Sequence, residues 1–230
     1  MDDKDLVKAG AEVAFQPFAN LIERLFGGSV DEIGGMWQDS LKVRRQIRQA
    51  KLLEKLQRRI GSAQFEPQQI PDKTWIPILQ AASMEDDETL QDIWANLLAN
   101  AADPSQENSV HLSYVEIVKQ LNPEDAKFLV AAYQSNWFTP WDSRDLFDQF
   151  FEVARSEQGL AADSRYYISL DNLMRLGLFE RVVLEEAEPS LPRIRSEELA
   201  KTRIVKTALG SALLKACTAP KPSAEAQAKS

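Results

Sequence analysis

Basic side chains are the residues in this sequence whose spacing points most clearly to a chemistry, and that chemistry is the binding of anions. In the helix predicted from Asp39 to Ile60, eight lysines and arginines follow Asp39 and accompany only one further acid, Glu54, in a chain whose net charge is −8. A helix would place five of them on one narrow face, because they recur at intervals of three and four residues. These five are Arg44, Arg48, Lys51, Lys55 and Arg58.

Two interpretations of this basic face remain open. It predicts a surface for the phosphates of nucleic acid or of anionic lipid. Alternatively, it is a solvated helix face, or one that meets the acidic segment Glu85–Glu88 of the same molecule. No aromatic residue is interleaved to stack on bases, which weakens the interpretation as a single-stranded nucleic-acid site.

Groups for covalent or metal chemistry are scarce. The chain has one histidine, His111, and one cysteine, Cys217, and together they make no metal-site spacing. No serine lies in a nucleophile motif, and no glycine-rich phosphate loop occurs. The carboxylates of Glu85–Glu88 are more typical of a helix N-terminus than of a cation site. The sequence therefore predicts no catalytic constellation, cofactor, metal or small-molecule substrate, although it does not exclude an enzyme.

Composition sets the class of protein. Apolar residues make up 44% and charged residues 27% of 230 residues, which is typical of a soluble globular protein. A single cysteine excludes an internal disulfide and fits a reducing cytoplasm. The acidic N-terminus does not resemble a secretory signal, and no apolar run reaches membrane-spanning length. We therefore predict a cytoplasmic protein, with peripheral attachment to the inner membrane face as an alternative.

The elements that must position the basic face centre on a helical hairpin from Trp75 to Pro104. Apolar residues recur from Leu90 to Ala101 at helical spacing, which predicts a buried helix. Ser83 is its predicted N-cap. In the helix before it, Pro77 is expected only within the first turn.

Further helices are predicted on both sides of this hairpin. Ahead of it, a helix with a break at Pro17 ends at Gly27, the basic helix follows, and the connector begins at Gly61. The segments predicted after it are helices at His111–Leu121, from Pro123, and at Ser143–Ser156, and an aromatic loop at Trp137–Trp141.

The last third has the element order of a winged helix. The helix Ser169–Leu176 ends at Gly177, a strand follows, and a second strand, Thr202–Lys206, precedes a helix capped by Thr207. The predicted fold class is thus mainly α, a helical bundle with a C-terminal winged-helix-like element that carries a small β-hairpin. The polar residues of its candidate recognition helix are Asp171, Asn172 and Arg175. One arginine beside an aspartate suits a phosphate-rich groove poorly, so we favour a packing role.

Several of these stretches together resemble a known family. The segments IPILQAASMEDDETLQDIWANLLANAADP, LNPEDAKFL, NLMRLGLFER and TALGSALLKAC are similar to the abortive infection alpha (Abi-alpha) family of bacterial proteins. The resemblance runs from Ile70 to Cys217, while the first 60 residues match only loosely. Val205-Lys206-Thr207 stands where the family usually has Leu-Thr. The resemblance implies defence against phage in which the infected cell is sacrificed or arrested, and it transfers no catalytic residues.

The sequence predicts an N-terminal helical region at 1–60, an Abi-alpha-like core at 70–217 whose winged part spans 163–217, and a disordered tail at 218–230. The predicted function is that of a non-enzymatic effector or interaction protein of phage defence, acting through its surfaces. A winged-helix transcriptional regulator that binds DNA is the alternative. The predicted partners are another protein, a second copy of the chain, or an anionic surface bound by the basic helix.

Overall fold

The computed structural model describes residues 14–28, 42–106, 110–134, 164–183 and 202–221, and this part of the chain is mainly helical. The elements are α1 (Ala19–Phe26), α2 (Lys42–Ala63), α3 (Asp72–Met84), α4 (Glu88–Ala102), α5 (Leu112–Val118), α6 (Pro123–Gln134), α7 (Ser164–Arg175), β1 (Phe179–Val183), β2 (Thr202–Lys206) and α8 (Ala208–Ala216). Short 3-10 helices at Gln16–Phe18 and Pro104–Gln106 complete them. The mainly α prediction is confirmed.

The chain divides into two compact units. The first comprises residues 1–123 and 215–230, and the second comprises residues 124–214. The boundaries that the sequence suggests at 60, 70 and 163 remain predictions.

Helix α4 lies at the core of the first unit, and α2 packs against both α3 and α4. The apolar face predicted for α4 is buried from Leu90 to Leu98, with Trp94 its largest buried side chain, and its last residue, Ala101, is half-buried. Leu52, Leu53 and Leu56 supply the buried face of α2. Removing these side chains from water is the main stabilising contribution, at roughly 25 cal/mol per Å² of apolar surface. The predicted hairpin of α3 and α4 is confirmed.

The connection between these two helices differs from the prediction. Ser83 is buried inside α3, where its hydroxyl donates to the Gln80 carbonyl at 2.7 Å. The N-cap of α4 is Asp87, whose carboxylate accepts from the amides of Thr89 and Leu90 at 2.9 and 3.0 Å. The Asp87 carboxylate accepts from two N–H groups that have no partner within the helix, and its negative charge is stabilised by the positive end of the helix dipole. Asp87 is therefore a more effective N-cap than Ser83.

Two further helix boundaries were also wrong. Because α3 begins at Asp72, Pro77 lies beyond the first turn. The carbonyl left without a helical donor by Pro77 belongs to Lys73, an exposed residue, so solvent can satisfy it. Gly61 does not begin the connector, since α2 continues to Ala63 and ends where Gln64 adopts a φ of 54°. Within α2, nothing lies within 4 Å of the space a Cβ at Gly61 would fill.

The N-terminal helix breaks at Pro17 and ends at Gly27, as predicted. A 3-10 turn carries Pro17, and α1 ends at Gly27, whose φ of 65° is left-handed. The Ile70 amide donates to the Leu25 carbonyl at 2.8 Å, and the Phe26 ring contacts that of Trp75 with centroids 4.8 Å apart. These contacts fix α1 beside the start of α3.

In the second unit the predicted helix, glycine and paired strands are present. Helix α7 begins five residues before the predicted Ser169, and Gly177 follows it with a φ of 71°. Strands β1 and β2 pair antiparallel, with Phe179 opposite Lys206. Thr207 caps α8 by accepting from the Gly210 amide at 2.9 Å, as predicted. The arrangement of a winged helix remains a prediction.

Some sequence predictions concern residues outside the described part. These are the first residues of the N-terminal helix and of the basic helix, the loop Trp137–Trp141, the helix Ser143–Ser156 and most of the C-terminal tail.

Candidate interaction surface

The basic face of α2 meets the acidic segment between α3 and α4. Arg48 donates to Asp86 at 3.2 Å, and Lys51 lies 3.6 Å from Glu88. Lys55 bridges the Glu88 and Asp92 carboxylates at 2.8 and 2.9 Å. The intramolecular contact that the sequence left as an alternative is thus confirmed. Whether the face also binds an external anion stays a prediction.

We call these ion pairs between α2 and the start of α4 the ion-pair ladder. Lys55 is its least exposed cation, with 14% of its side chain accessible. Burial lowers the pKa of Lys55, but the hydrogen bonds and charges of Glu88 and Asp92 outweigh burial, so the pKa is raised. The hydrogen bond from Lys55, together with its charge, lowers the pKa of Glu88. Both groups are therefore held in their charged forms, and Lys55 acts as a structural residue here.

Asp92 and Asn96 extend this ladder, and the sequence analysis missed them. Arg59 donates to Asp92 and to Asn96, each at 2.9 Å. Both acceptors lie one turn apart on α4, as do Lys55 and Arg59 on α2. The missed signal was this matching four-residue spacing on two helices that pack together.

At the other end of α2, cationic side chains stay at the surface beside apolar ones. We call the residues Val43, Arg44, Ile47, Lys51 and Met84 the α2 patch. Within the described residues Arg44 makes no ion pair, and Lys51 makes only its 3.6 Å pair with Glu88. The apolar side chains are about half accessible, Val43 57%, Ile47 54% and Met84 52%.

Helical geometry and one hydrogen bond make this patch continuous. Val43, Ile47 and Lys51 succeed one another at four-residue spacing on α2. Arg48 reaches across to donate to the Met84 carbonyl at 3.2 Å, which brings the end of α3 against α2. The exposed apolar side chains thus lie beside basic ones, an arrangement suited to a partner that is both apolar and anionic. Of the predicted site residues, Arg58 lies farther along the helix and pairs with Glu54.

The acidic segment itself is occupied by structural contacts. The Glu85 carboxylate accepts from the amides of Asp86 and Asp87, both at 2.9 Å. The buried Gln91 amide donates to the Ala82 and Glu85 carbonyls. These bonds supply donors to carbonyls at the C-terminal end of α3. Among the described residues no group of three or more His, Cys, Asp or Glu side chains is placed to hold a metal ion.

The remaining reactive residues lie far from the α2 patch in the sequence. His111 precedes α5, is exposed, and places its ring edge-on to Tyr114. Cys217 is buried, as predicted, and burial raises the pKa of its thiol. In the second unit Asn172 donates to Asp125 at 2.7 Å, and Arg175 donates to Asn172. Two of the polar side chains that a recognition helix would use are therefore engaged within the protein.

The sequence that forms these elements matches the model of a known protein family. The family model for abortive infection alpha covers residues 44–217. The chain belongs to the Abi-alpha family. Searches of curated proteins and of solved structures each found no match.

The Abi-alpha match extends further toward the N-terminus than the sequence resemblance suggested. It begins at Arg44 and so includes nearly all of α2 together with the ion-pair ladder to α4. Membership of the family points to a role in abortive-infection defence. Within the described part of the chain, no helix is both long and apolar enough to cross a membrane.

Proposed function

We propose that this Abi-alpha chain is a non-enzymatic effector of bacterial phage defence that acts by binding an anionic partner through the α2 patch. The observation that carries the proposal is the division of α2 along its length. Lys55 and Arg59 are committed to carboxylates of α4, whereas Arg44 and Lys51 stand at the surface beside exposed Val43 and Ile47.

The chemistry of the patch favours lipid or protein over nucleic acid. Exposed aliphatic side chains gain from burial against an apolar surface, and neighbouring cations gain from anionic headgroups or carboxylates. Nucleic acid would use the cations but leave the three apolar side chains exposed. A cytoplasmic protein that attaches peripherally to the inner membrane face on infection is the form of the proposal that we favour.

Phage infection of cells that carry variants tests the proposal. We expect the wild-type chain to reduce plaque formation, and the double variant Arg44→Glu/Lys51→Glu and the single variant Ile47→Ser to lose that protection. Lys127→Glu, a change of charge at an exposed residue of α6, should protect as well as the wild type. Purified variants must keep the wild-type circular dichroism and thermal midpoint, which separates loss of the surface from loss of the fold.

Cell fractionation before and after infection identifies the partner. Movement of the wild-type chain, but not of the Arg44→Glu/Lys51→Glu variant, to the membrane supports lipid binding. A chain that stays soluble but loses protection in the same variant indicates a protein or nucleic-acid partner. If all patch variants protect fully while folded, the α2 patch is not the effector surface.

Within the described residues, no contact favours the alternative that the chain is a winged-helix regulator that binds DNA. The Arg175 and Asn172 side chains bond to each other and to Asp125. Binding of DNA through α7 would first require breaking those contacts. Substituting Arg175 should therefore leave protection unchanged.

A further inference from the structure

The buried face of α2 changes in character along the helix. From Leu52 onward every buried residue of α2 is apolar. In the first half of the helix, which we define as residues 43–51, the two buried residues are instead glutamines, and one of them, Gln49, is completely inaccessible. The large apolar side chains of this half, Val43 and Ile47, are about half accessible. The first half of α2 therefore places polar groups inside the protein and apolar groups at its surface.

Gln49 is the residue of this half that is least favourable to bury. Among the described residues, neither its amide oxygen nor its amide nitrogen has a hydrogen-bond partner. By contrast, the amide nitrogen of the buried Gln91 donates to two carbonyls. A buried donor or acceptor without a partner weighs against the state that buries it, by about tenfold or more in an equilibrium constant. Exposure of the Gln49 amide to water would remove this cost.

Arg48 holds the first half of α2 against the end of α3. Its guanidinium donates to the Met84 carbonyl and to the Asp86 carboxylate, each at 3.2 Å. The Asp86 side chain is 82% exposed, so this pair contributes little and another anion can replace it. The second half of the helix is held by its buried leucines and by the ion pairs of Lys55 and Arg59 with α4. The first half can therefore open while the second half stays packed.

We propose that the first half of α2 opens away from α3 and that this opening releases Arg48 to the anionic partner of the α2 patch. In the open form Arg48 joins Arg44 and Lys51, and the apolar side chains of this half can turn fully into the partner. A partner that makes these added contacts binds the open form more tightly and shifts the equilibrium toward it. The opening is independent of the effector role, whereas the release of Arg48 to a partner rests on the proposed function.

Amide hydrogen exchange of the purified full chain measures the opening. Urea separates two routes of exchange, because it strongly accelerates exchange through global unfolding and hardly affects exchange through a small local opening. We expect the amides of residues 46–51 to exchange by the local route when no urea is present. Those of residues 56–61, in the second half of α2, should exchange through global unfolding and respond steeply to urea.

A substitution of Gln49 tests whether its unpaired amide drives the opening. Gln49→Met removes the amide and keeps an unbranched side chain of similar size. It should slow exchange at residues 46–51 about tenfold or more in the absence of urea, because the closed form then buries no unpaired amide. Gln57→Met, the same change at an exposed glutamine of α2, should leave that rate unchanged. Gln49→Leu takes the place of Gln49→Met if the latter fails to fold.

Binding to phosphatidylglycerol vesicles tests the link to the α2 patch. The apparent affinity for a partner that binds the open form falls by the same factor as the open population. Gln49→Met should therefore bind the vesicles more weakly than the wild type, by the factor found in exchange, although it removes no patch residue. Gln57→Met should bind as the wild type does.

Three results would overturn the proposal. Exchange at residues 46–51 could respond to urea as steeply as exchange at residues 56–61, or Gln49→Met could leave it unchanged. Gln49→Met could also slow exchange and still bind the vesicles as the wild type does, in which case the opening does not serve the α2 patch. If the wild type does not bind these vesicles, the lipid form of the proposed function fails, and exchange alone decides the opening.

Discussion

The side-chain amides of Asn96 and Asn100 in α4 bind the chain where α8 ends. The reactivity of Cys217, which lies in this segment, measures how firmly the segment is bound. Asn100 donates to the carbonyls of Ala216 and Thr218, both at 2.8 Å, and Asn96 donates to that of Cys217 at 2.7 Å. These carbonyls lie at a helix C-terminus, where no intrahelical donor remains for them. We predict that Asn100→Ala loosens this segment and exposes the Cys217 thiol.

The size of the effect follows from the bonds lost. Asn100 is 5% exposed, so its replacement by alanine leaves two largely dehydrated carbonyls without their side-chain donor. Each net hydrogen bond contributes about 1 kcal/mol. Opening of the segment should therefore become easier by about 2 kcal/mol, which corresponds to a population of the open form about thirtyfold larger.

The rate of labelling by a thiol reagent in excess measures this opening, because the protein has one cysteine and its buried thiol reacts only when the segment opens. We expect labelling of Asn100→Ala about thirtyfold faster than that of the wild type. Asn20→Ala, at an exposed asparagine of α1, is the matched control and should label at the wild-type rate. Equal rates for the two variants would refute the reasoning.

Two further predictions concern pH and packing. Because the pKa of Glu88 is lowered from its ordinary value of 4.5, its ion pair with Lys55 stabilises the fold fully above that value and progressively less as pH falls through the lower folded-state pKa. The urea unfolding midpoints of the wild type and Glu88→Gln should therefore differ above pH 4.5 and converge as pH falls through the folded-state pKa of Glu88, and a pH-independent difference would contradict this. In α8 a Cβ at Gly210 would collide with the Leu178 carbonyl, so Gly210→Ala should lower the free energy of unfolding by about 2 kcal/mol, whereas the exposed Ser211→Ala should change it little.

Sequence patterns predicted the helices well where one apolar face is continuous. Helix α4 followed from the recurrence of Leu90, Ile93 and Trp94, since a buried face needs apolar residues at every turn. The N-cap of α4 was mistaken because Ser83 and Asp87 are both good capping residues. Which of them caps the start of α4 depends on tertiary packing. Ser83 is buried within α3, so Asp87 takes this role.

The candidate surface was predicted only in part. The periodicity of Arg44, Arg48 and Lys51 placed them on one face, but sequence could not say which of them would be neutralised. That was decided by the acidic segment, 37 residues away for Lys51 and Glu88. The apolar half of the patch was missed because isolated residues such as Ile47 resemble buried ones in a helical pattern.

The sequence by itself determined the helical elements, the capping of α8 by Thr207, the glycine stop at Gly177 and the Abi-alpha family, because these depend on local geometry and on the order of motifs. Tertiary structure alone decided that α2 lies against α4. This packing pairs the charge of Lys55 with carboxylates and leaves Arg44 at the surface. The physical reason is that helical periodicity fixes which side chains share a face, while the charge that face presents depends on the groups packed against it.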